Sequence, residues 1–282
     1  MNTARICICG AGTMGSGIAQ AAAQAGFPVI LYELHAPTLE KAKLSIQQSL
    51  SLLVSKAKLS GQQSETIFSA IHFTSLISDC KADIFIEAII EKAEAKIGLF
   101  NQLAALNATD AVFASNTSSL SIASIAAGVP HPERVCGMHF FNPATIMKLV
   151  EVIRTEKTDQ ATIDRVLQLC QSMGKTAVIC KDAPGFIVNR VARPYYIEAL
   201  RLLEEGAADI SSIDAVMEAA GFRMGPFKLM DLIGNDVNYA VSCSVYEQLD
   251  RPGRLRPSPI QESLVKNGAL GRKTKKGYYP YE

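Results

Sequence analysis

Short apolar runs alternate with stretches of helical periodicity over the first part of the chain, and only helical periodicity follows. Residues 5–9 form an apolar strand, the glycine-rich segment 10–17 turns into a helix over 18–25, Gly26 ends it, and 29–33 is a second strand. A strand–helix–strand unit of about 30 residues is the expected opening of a doubly wound sheet. From Thr38 to the region of Ala70, Leu39, Ala42, Ile46, Leu50, Leu53 and Val54 recur at helical spacing. A break at Lys56-Ala57-Lys58 and Ser60-Gly61, with a second helix from Gln62, predicts a helical hairpin inserted between strands. Residues 82–87 and 112–115 are strands separated by a helix through 96–106, and 135–141, 149–153 and 176–179 complete the sheet. Past Lys181-Asp182-Ala183-Pro184-Gly185 the strand signal stops, and helices are expected over 187–203, 210–220 and 227–249. The boundary is placed at 182/183: a nucleotide-binding α/β domain over 1–182, then an all-helical domain over 183–282.

Composition narrows the classes. At 282 residues the chain exceeds one compact core, which favours two domains. With 48% hydrophobic and 20% charged residues it reads as an ordinary globular protein, and a net charge of +1 argues against nucleic acid as a partner. Seven cysteines, odd in number and mostly in apolar runs, fit reduced thiols in a cytoplasm-like compartment; Cys7-x-Cys9 has strand alternation rather than metal-ligand spacing, so no metal is expected. No apolar run reaches the ~20 residues of a membrane span. The first strand begins almost at once, at Arg5-Ile6-Cys7-Ile8, so no targeting segment is expected.

Candidate chemistry begins with Gly10-x-Gly12-Thr13-Met14-Gly15 between a strand and a helix. The first glycine makes the tight turn, the second admits the pyrophosphate, the third packs helix on strand, and the helix N-terminus faces the phosphates. Glycines alone would fit a mere tight turn. Glu33, at the end of the second strand, adds the acidic group that hydrogen-bonds a ribose 2′-hydroxyl and repels a 2′-phosphate, which points to NAD rather than NADP. Glu87 and Glu91, with Lys96, follow a strand end where open α/β sheets bind ligands, but from the residues alone a solvated helix start is the preferred reading. Asn116-Thr117-Ser118-Ser119 follows the next strand end and fits a plain N-cap and turn.

His35, His72 and His131 stand in polar or turn contexts, whereas His139 lies in the apolar run Met138-His139-Phe140-Phe141. Twelve residues on, Glu151 interrupts Leu149-Val150-Glu151-Val152-Ile153. An unpaired buried carboxylate costs several kcal/mol, so Glu151 needs a partner or a chemical task. Two readings stay open: a histidine satisfied within the core, or a general base oriented by a carboxylate.

Several motifs in order carry a family resemblance. Gly-Ala-Gly-Thr-Met-Gly at 10–15, Ser115-Asn116-Thr117-Ser118-Ser119, His139-Phe140-Phe141-Asn142-Pro143, Met147-Lys148-Leu149-Val150-Glu151 and Pro184-Gly185-Phe186-Ile187-Val188-Asn189-Arg190 resemble the 3-hydroxyacyl-CoA dehydrogenases. Met224-Gly225-Pro226-Phe227 and Leu270-Gly271-Arg272-Lys273-Thr274 continue the likeness over essentially the whole chain, which looks most like the short bacterial 3-hydroxybutyryl-CoA dehydrogenases. Two departures stand out: Ala144-Thr145-Ile146 follows Asn142-Pro143 where the family commonly has a second proline, and Lys275 follows Thr274 where a glycine is usual.

The resemblance implies an α/β Rossmann-like doubly wound sheet with the inserted hairpin, followed by the helical domain. It implies NAD as cofactor, bound by Gly10, Gly12, Thr13, Met14, Gly15 and Glu33, with Glu91, Lys96, Asn116, Ser118, Asn142 and Lys273 near its nicotinamide half. His139 would be the general base and Glu151 its orienting partner, while Ser118 and Asn189 would contact the substrate oxygens. Ser49, Lys56 and Ser118 would meet an acyl-CoA substrate, lying between the sheet's C-terminal edge and the helical domain. The reaction implied is interconversion of an L-3-hydroxyacyl-CoA and the 3-ketoacyl-CoA, with 3-hydroxybutyryl-CoA first. 3-Hydroxyadipyl-CoA is the runner-up, because Val191-Ala192-Arg193-Pro194-Tyr195-Tyr196 looks like the aromatic-degradation enzymes. A dehydrogenase of a non-thioester hydroxyacid and an NAD-binding sensor without turnover are the other readings. A cytoplasmic homodimer through the helical domain is expected, without membrane or nucleic-acid partners.

Overall fold

The computed structural model describes residues 4–282. The chain separates into two compact units, one ending at Asp182 and the other running from Ala183 to Glu282. In the first, β1 (Ile6–Cys9), α1 (Thr13–Gln24) and β2 (Val29–Tyr32) form the opening unit, and α2 (Ala36–Ser55) with α3 (Gly61–Ser69) forms the hairpin before β3 (Ile71–Thr74). Then come β4 (Ile84–Glu87), α4 (Ala93–Leu106), β5 (Val112–Ser115), α5 (Ile122–Ala127), β6 (Val135–Phe140), β7 (Leu149–Arg154), α6 (Gln160–Ser172) and β8 (Thr176–Lys181).

All eight strands join one sheet in the order β3-β2-β1-β4-β5-β6-β7-β8. The first six are parallel in the order that dinucleotide-binding sheets adopt, with its reversal between β1 and β4. β7 then turns back against β6, and β8 runs parallel to β7. β1, β2, β4, β5 and β6 are buried along their whole length, which is why they read as continuous apolar runs. On one face Ile8, Ile18, Leu31, Ile46 and Ile86 share a core with Val150 and Val152. Elsewhere Phe113 stacks on Phe85 at 5.3 Å and meets Phe100 of α4 at 5.4 Å. Each such ring contributes about 1.5–3 kcal/mol by leaving water.

The sheet holds differences from the periodicity reading. Helix α1 begins at Thr13 rather than residue 18, because Gly15 and Gly17 mask its first turn as a loop. β3 is an additional edge strand whose Ile-His-Phe-Thr sequence buries only its two ends. Helix α6, N-capped by the Asp159 carboxylate on Thr162 N–H, links β7 to β8 across a segment assigned no element from sequence.

The second unit is helical: α7 (Val188–Glu204), α8 (Ile210–Ala219), α9 (Pro226–Ile233), α10 (Asn235–Gln248) and α11 (Pro259–Lys266). The single helix expected over 227–249 is two helices. Gly234 at φ 103° breaks it, a backbone angle that no helix interior accepts. Phe227, Met230, Tyr196, Leu200 and Ile213 pack its core.

Candidate active site

The sheet's C-terminal edge collects the polar groups of the first unit. At β1, Gly10 has φ 100° and a Cβ there would stand 2.6 Å from the Ala88 carbonyl oxygen; on Gly15 a Cβ would stand 1.8 Å from the Gly10 carbonyl oxygen. Both positions therefore require glycine. Gly12 differs, since nothing lies within 4 Å of where its Cβ would be. That open space sits at the start of α1, whose N-cap has no side-chain hydrogen bond and whose first turn carries no acidic residue. The backbone N–H groups and positive helix end thus offer an anion seat, as a dinucleotide pyrophosphate requires.

One strand over, the Glu33 carboxylate accepts from Ala11 N–H (3.0 Å) and His35 N–H (3.0 Å), which holds it beside the glycine loop. This is the position from which an acidic group meets a ribose diol. The residues present fit NAD on both counts.

At β4 and β5 the structure corrects the solvated-helix reading. Glu87 is fully buried, and Lys96 is 1% exposed. Lys96 Nζ lies 2.6 Å from Glu87 Oε1 and 3.1 Å from Glu91 Oε2. Glu87 also accepts from Ile89 N–H (2.7 Å) and Ser115 Oγ (2.6 Å). Glu91 accepts from Thr117 Oγ1, from Ser119 Oγ (3.0 Å) and from Ser118 N–H (3.3 Å). Burial raises the Glu91 carboxyl, but Lys96 and these hydroxyls outweigh it and hold Glu91 below the ordinary carboxylate range. Glu87, Ser115, Thr117 and Ser119 were not singled out as site residues from sequence. The available signal was Glu87, an acidic group that ends an apolar strand, whereas Glu151 is an acidic group within one.

The next strand pair carries the histidine. The antiparallel register sets His139 directly opposite Glu151, so both side chains leave the same face. His139 Nδ1 is 2.7 Å from Glu151 Oε2, with the residues 6% and 1% exposed. The Phe141 ring lies 4.6 Å from the imidazole. Asn116 Oδ1 accepts from Phe140 N–H (2.8 Å), tying the β5 loop to the histidine's strand. Lys175 Nζ donates to the carbonyls of Ala144 (2.5 Å) and Met147 (2.8 Å), which fixes the loop that carries Asn142.

Gly10–Gly15, Glu33, Glu91, Lys96, Asn116, Ser118, His139, Asn142 and Glu151 therefore belong to one edge of one sheet. Ser49 and Lys56 lie elsewhere in that unit, Ser49 within the C-terminal half of α2 and Lys56 just past its end and exposed. Asn189 and Lys273 belong to the helical unit. Asn189 opens α7, its carbonyl accepting from Arg193 Nε (3.1 Å), and Lys273 Nζ is paired with Asp236 at 2.5 and 2.7 Å.

A dinucleotide seat followed, strand by strand, by a buried histidine–carboxylate pair is the layout of a nicotinamide-dependent dehydrogenase. Comparison with known proteins makes the class specific. Residues 5–183 match the 3-hydroxyacyl-CoA dehydrogenase NAD binding domain, and residues 185–281 match the 3-hydroxyacyl-CoA dehydrogenase C-terminal domain. A 3-hydroxyadipyl-CoA dehydrogenase of Escherichia coli is 45% identical over 283 residues, covering 100% of this chain and 60% of that protein, so the chain spans well under two thirds of that relative. A probable 3-hydroxybutyryl-CoA dehydrogenase of Deinococcus radiodurans is 39% identical, covering 97% of this chain and 99% of its own. The crystal structure of (S)-3-hydroxybutyryl-CoA dehydrogenase from Ralstonia eutropha superimposes with a TM-score of 0.93 at 36% identity, covering 99% of each chain. The chain belongs to the 3-hydroxyacyl-CoA dehydrogenase family of NAD-dependent oxidoreductases.

Proposed function

We propose that the protein interconverts a short-chain L-3-hydroxyacyl-CoA and the corresponding 3-ketoacyl-CoA, with 3-hydroxybutyryl-CoA as the leading substrate. The observation that carries this is the 2.7 Å contact between His139 and Glu151, buried on the same sheet edge as the dinucleotide seat. Donation of Nδ1–H to Glu151 leaves Nε2 as the nitrogen that takes the proton of the 3-hydroxyl. NAD, when bound, supplies the hydride acceptor. Glu151 stabilises the imidazolium as it forms and keeps the ring from rotating. In the reductive direction the same imidazolium donates to the ketone oxygen. The family likeness supports Ser118 and Asn189 as contacts of the substrate oxygens. Asn116 offers its amide N–H groups to the nicotinamide side, because its carbonyl oxygen is used by Phe140. Glu91 and Asn142 complete that side, with Lys96 acting through Glu91, and the family likeness supports Lys273 as a further cofactor contact. Ser49 and Lys56 meet the CoA moiety.

The 45% identical relative named for 3-hydroxyadipyl-CoA favours a second reading, a dicarboxylic acyl chain. Arg193, in the segment that prompted it, weighs against. It is 3% exposed, donates to Asn189 O, Asn238 O (2.9 Å) and Ser242 Oγ (3.0 Å), and lies over the Tyr196 ring. Its guanidinium is committed inside the helical unit, and burial pushes it down to about 10. A homodimer through the helical unit is supported by its exposed apolar side chains, Val191, Val216, Phe222, Leu232 and Val237. A cytoplasmic setting is supported by seven free cysteines. Among the described residues no helix is long and apolar enough to cross a membrane.

The test is NADH consumption by the purified protein with acetoacetyl-CoA, acetoacetate and 3-oxoadipyl-CoA. Oxidation with acetoacetyl-CoA and none with the free acid is the expected result. Turnover only with 3-oxoadipyl-CoA would replace the short-chain reading. NADH binding with no thioester turnover would overturn the function.

A further inference from the structure

The nicotinamide end of the sheet carries more negative charge than its neighbours neutralise. Glu87 and Glu91 converge on the single ammonium of Lys96, and among the described residues no other cation pairs with either carboxylate. The triad therefore holds a net charge of about −1 if all three groups are ionised, with its inner pair buried and Glu91 39% exposed. Uncompensated charge at a buried site is costly, and removing it would be the simplest way to stabilise the fold. A cation delivered from outside would give that excess a purpose.

The strand order says where such a cation arrives. The glycine loop follows β1, and Glu33 sits at the end of β2, so the adenosine half lies on the β2 side. In this topology the second mononucleotide crosses the β1/β4 reversal and lies over the ends of β4 and β5. Those ends carry Glu87, Glu91 and the 115–119 loop. The ring placed there is cationic in the oxidised cofactor and neutral in the reduced one.

We propose that Glu87, Lys96 and Glu91 form a net-negative mount beneath the nicotinamide, which strengthens binding of the oxidised cofactor relative to the reduced one. Glu87 is assigned no other role in the site. It supplies charge, and it positions the ammonium that anchors Glu91. The low-lying Glu91 carboxyl keeps the mount charged at neutral pH. The three donors on Glu91 Oε1 and the two further donors on Glu87 fix both carboxylates, so the field is built before the cofactor binds.

This rests on the NAD-dependent reading above, and the test separates the two. Dissociation constants for NAD and for NADH are measured on the intact protein, its Glu87→Gln variant, its Glu91→Gln variant, and Glu94→Gln as an exposed control on the helix that carries Lys96. Loss of one charge from the mount should raise the NAD-to-NADH ratio of dissociation constants about tenfold in each of the first two variants. The Glu94 variant should leave it unchanged. A purely structural role would weaken both nucleotides equally and keep the ratio constant, which overturns the proposal. If Glu87→Gln does not fold, the Glu91→Gln ratio decides alone. Failure of the unaltered protein to bind either nucleotide would overturn the functional reading itself.

Discussion

Both units bury carboxylates, and they use them differently. In the helical unit Asp231 accepts from Tyr278 N–H and Tyr279 N–H (3.0 Å each), Tyr281 OH (2.9 Å) and Asn235 Nδ2 (2.8 Å). Asp214 accepts from Phe227 N–H (2.9 Å), Lys228 N–H (3.0 Å) and Tyr279 OH (2.9 Å). Four of these seven donors are backbone amides, and none is a group that titrates near neutral pH. These aspartates pin the C-terminal segment and the start of α9 in place. In the sheet unit Glu151 meets an imidazole and Glu87 meets an ammonium. A buried carboxylate closed off by backbone donors serves the fold, and one facing a titratable or cationic partner on a ligand edge serves chemistry.

Substitutions should separate the two kinds. His139→Ala should lower turnover about 10²- to 10⁴-fold and leave NADH affinity unchanged, measured by steady-state kinetics beside a fluorescence titration. Asp231→Ala should cost about 3 kcal/mol of stability, read from the shift of the urea midpoint, because four donors, buried or part-buried, lose their acceptor. A stability loss at His139 as large as that at Asp231 would erase the distinction. Glu33→Ala should reduce the preference for NAD over NADP about tenfold, judged from the ratio of kcat/KM values, through loss of one charged hydrogen bond to the ribose. The smallest effect falls on the tail. Lys275 holds φ 58°, a left-handed conformation, at the position where the family usually has glycine. Lys275→Gly should therefore gain about 0.5–1 kcal/mol with activity unchanged.

The inner strands β1, β2, β4, β5 and β6 were legible because both faces are covered, which leaves unbroken apolar runs bounded by glycine and charge. His139 and Glu151 were legible for the same reason: an ionisable group within such a run has to be explained. β3 escaped because an edge strand buries little, and its Ile71-His72-Phe73-Thr74 pattern resembles the end of the preceding helix. The Gly234 break escaped because a glycine within a periodic stretch reads as tolerated, and its backbone angle is set by packing. The burial of Lys96 was least legible. Its partners Glu87 and Glu91 are carried by β4 and the loop after it, and the hydroxyls that complete the cluster come from the end of β5 and the loop after it. A local reading of Glu91-Lys92-Ala93-Glu94-Ala95-Lys96 sees only a charged helix start. The αL conformation at Lys275 was foreshadowed by the departure from glycine, although the angle itself was not.

Glu151→Gln gives the most direct measurement, because it removes the carboxylate's charge while keeping its shape. We expect turnover of acetoacetyl-CoA to fall by orders of magnitude while the NADH dissociation constant and the urea midpoint stay at their unaltered values. A parallel loss of turnover, NADH binding and stability would show that Glu151 only holds the sheet together, and would contradict the assignment of the His139–Glu151 pair to proton transfer.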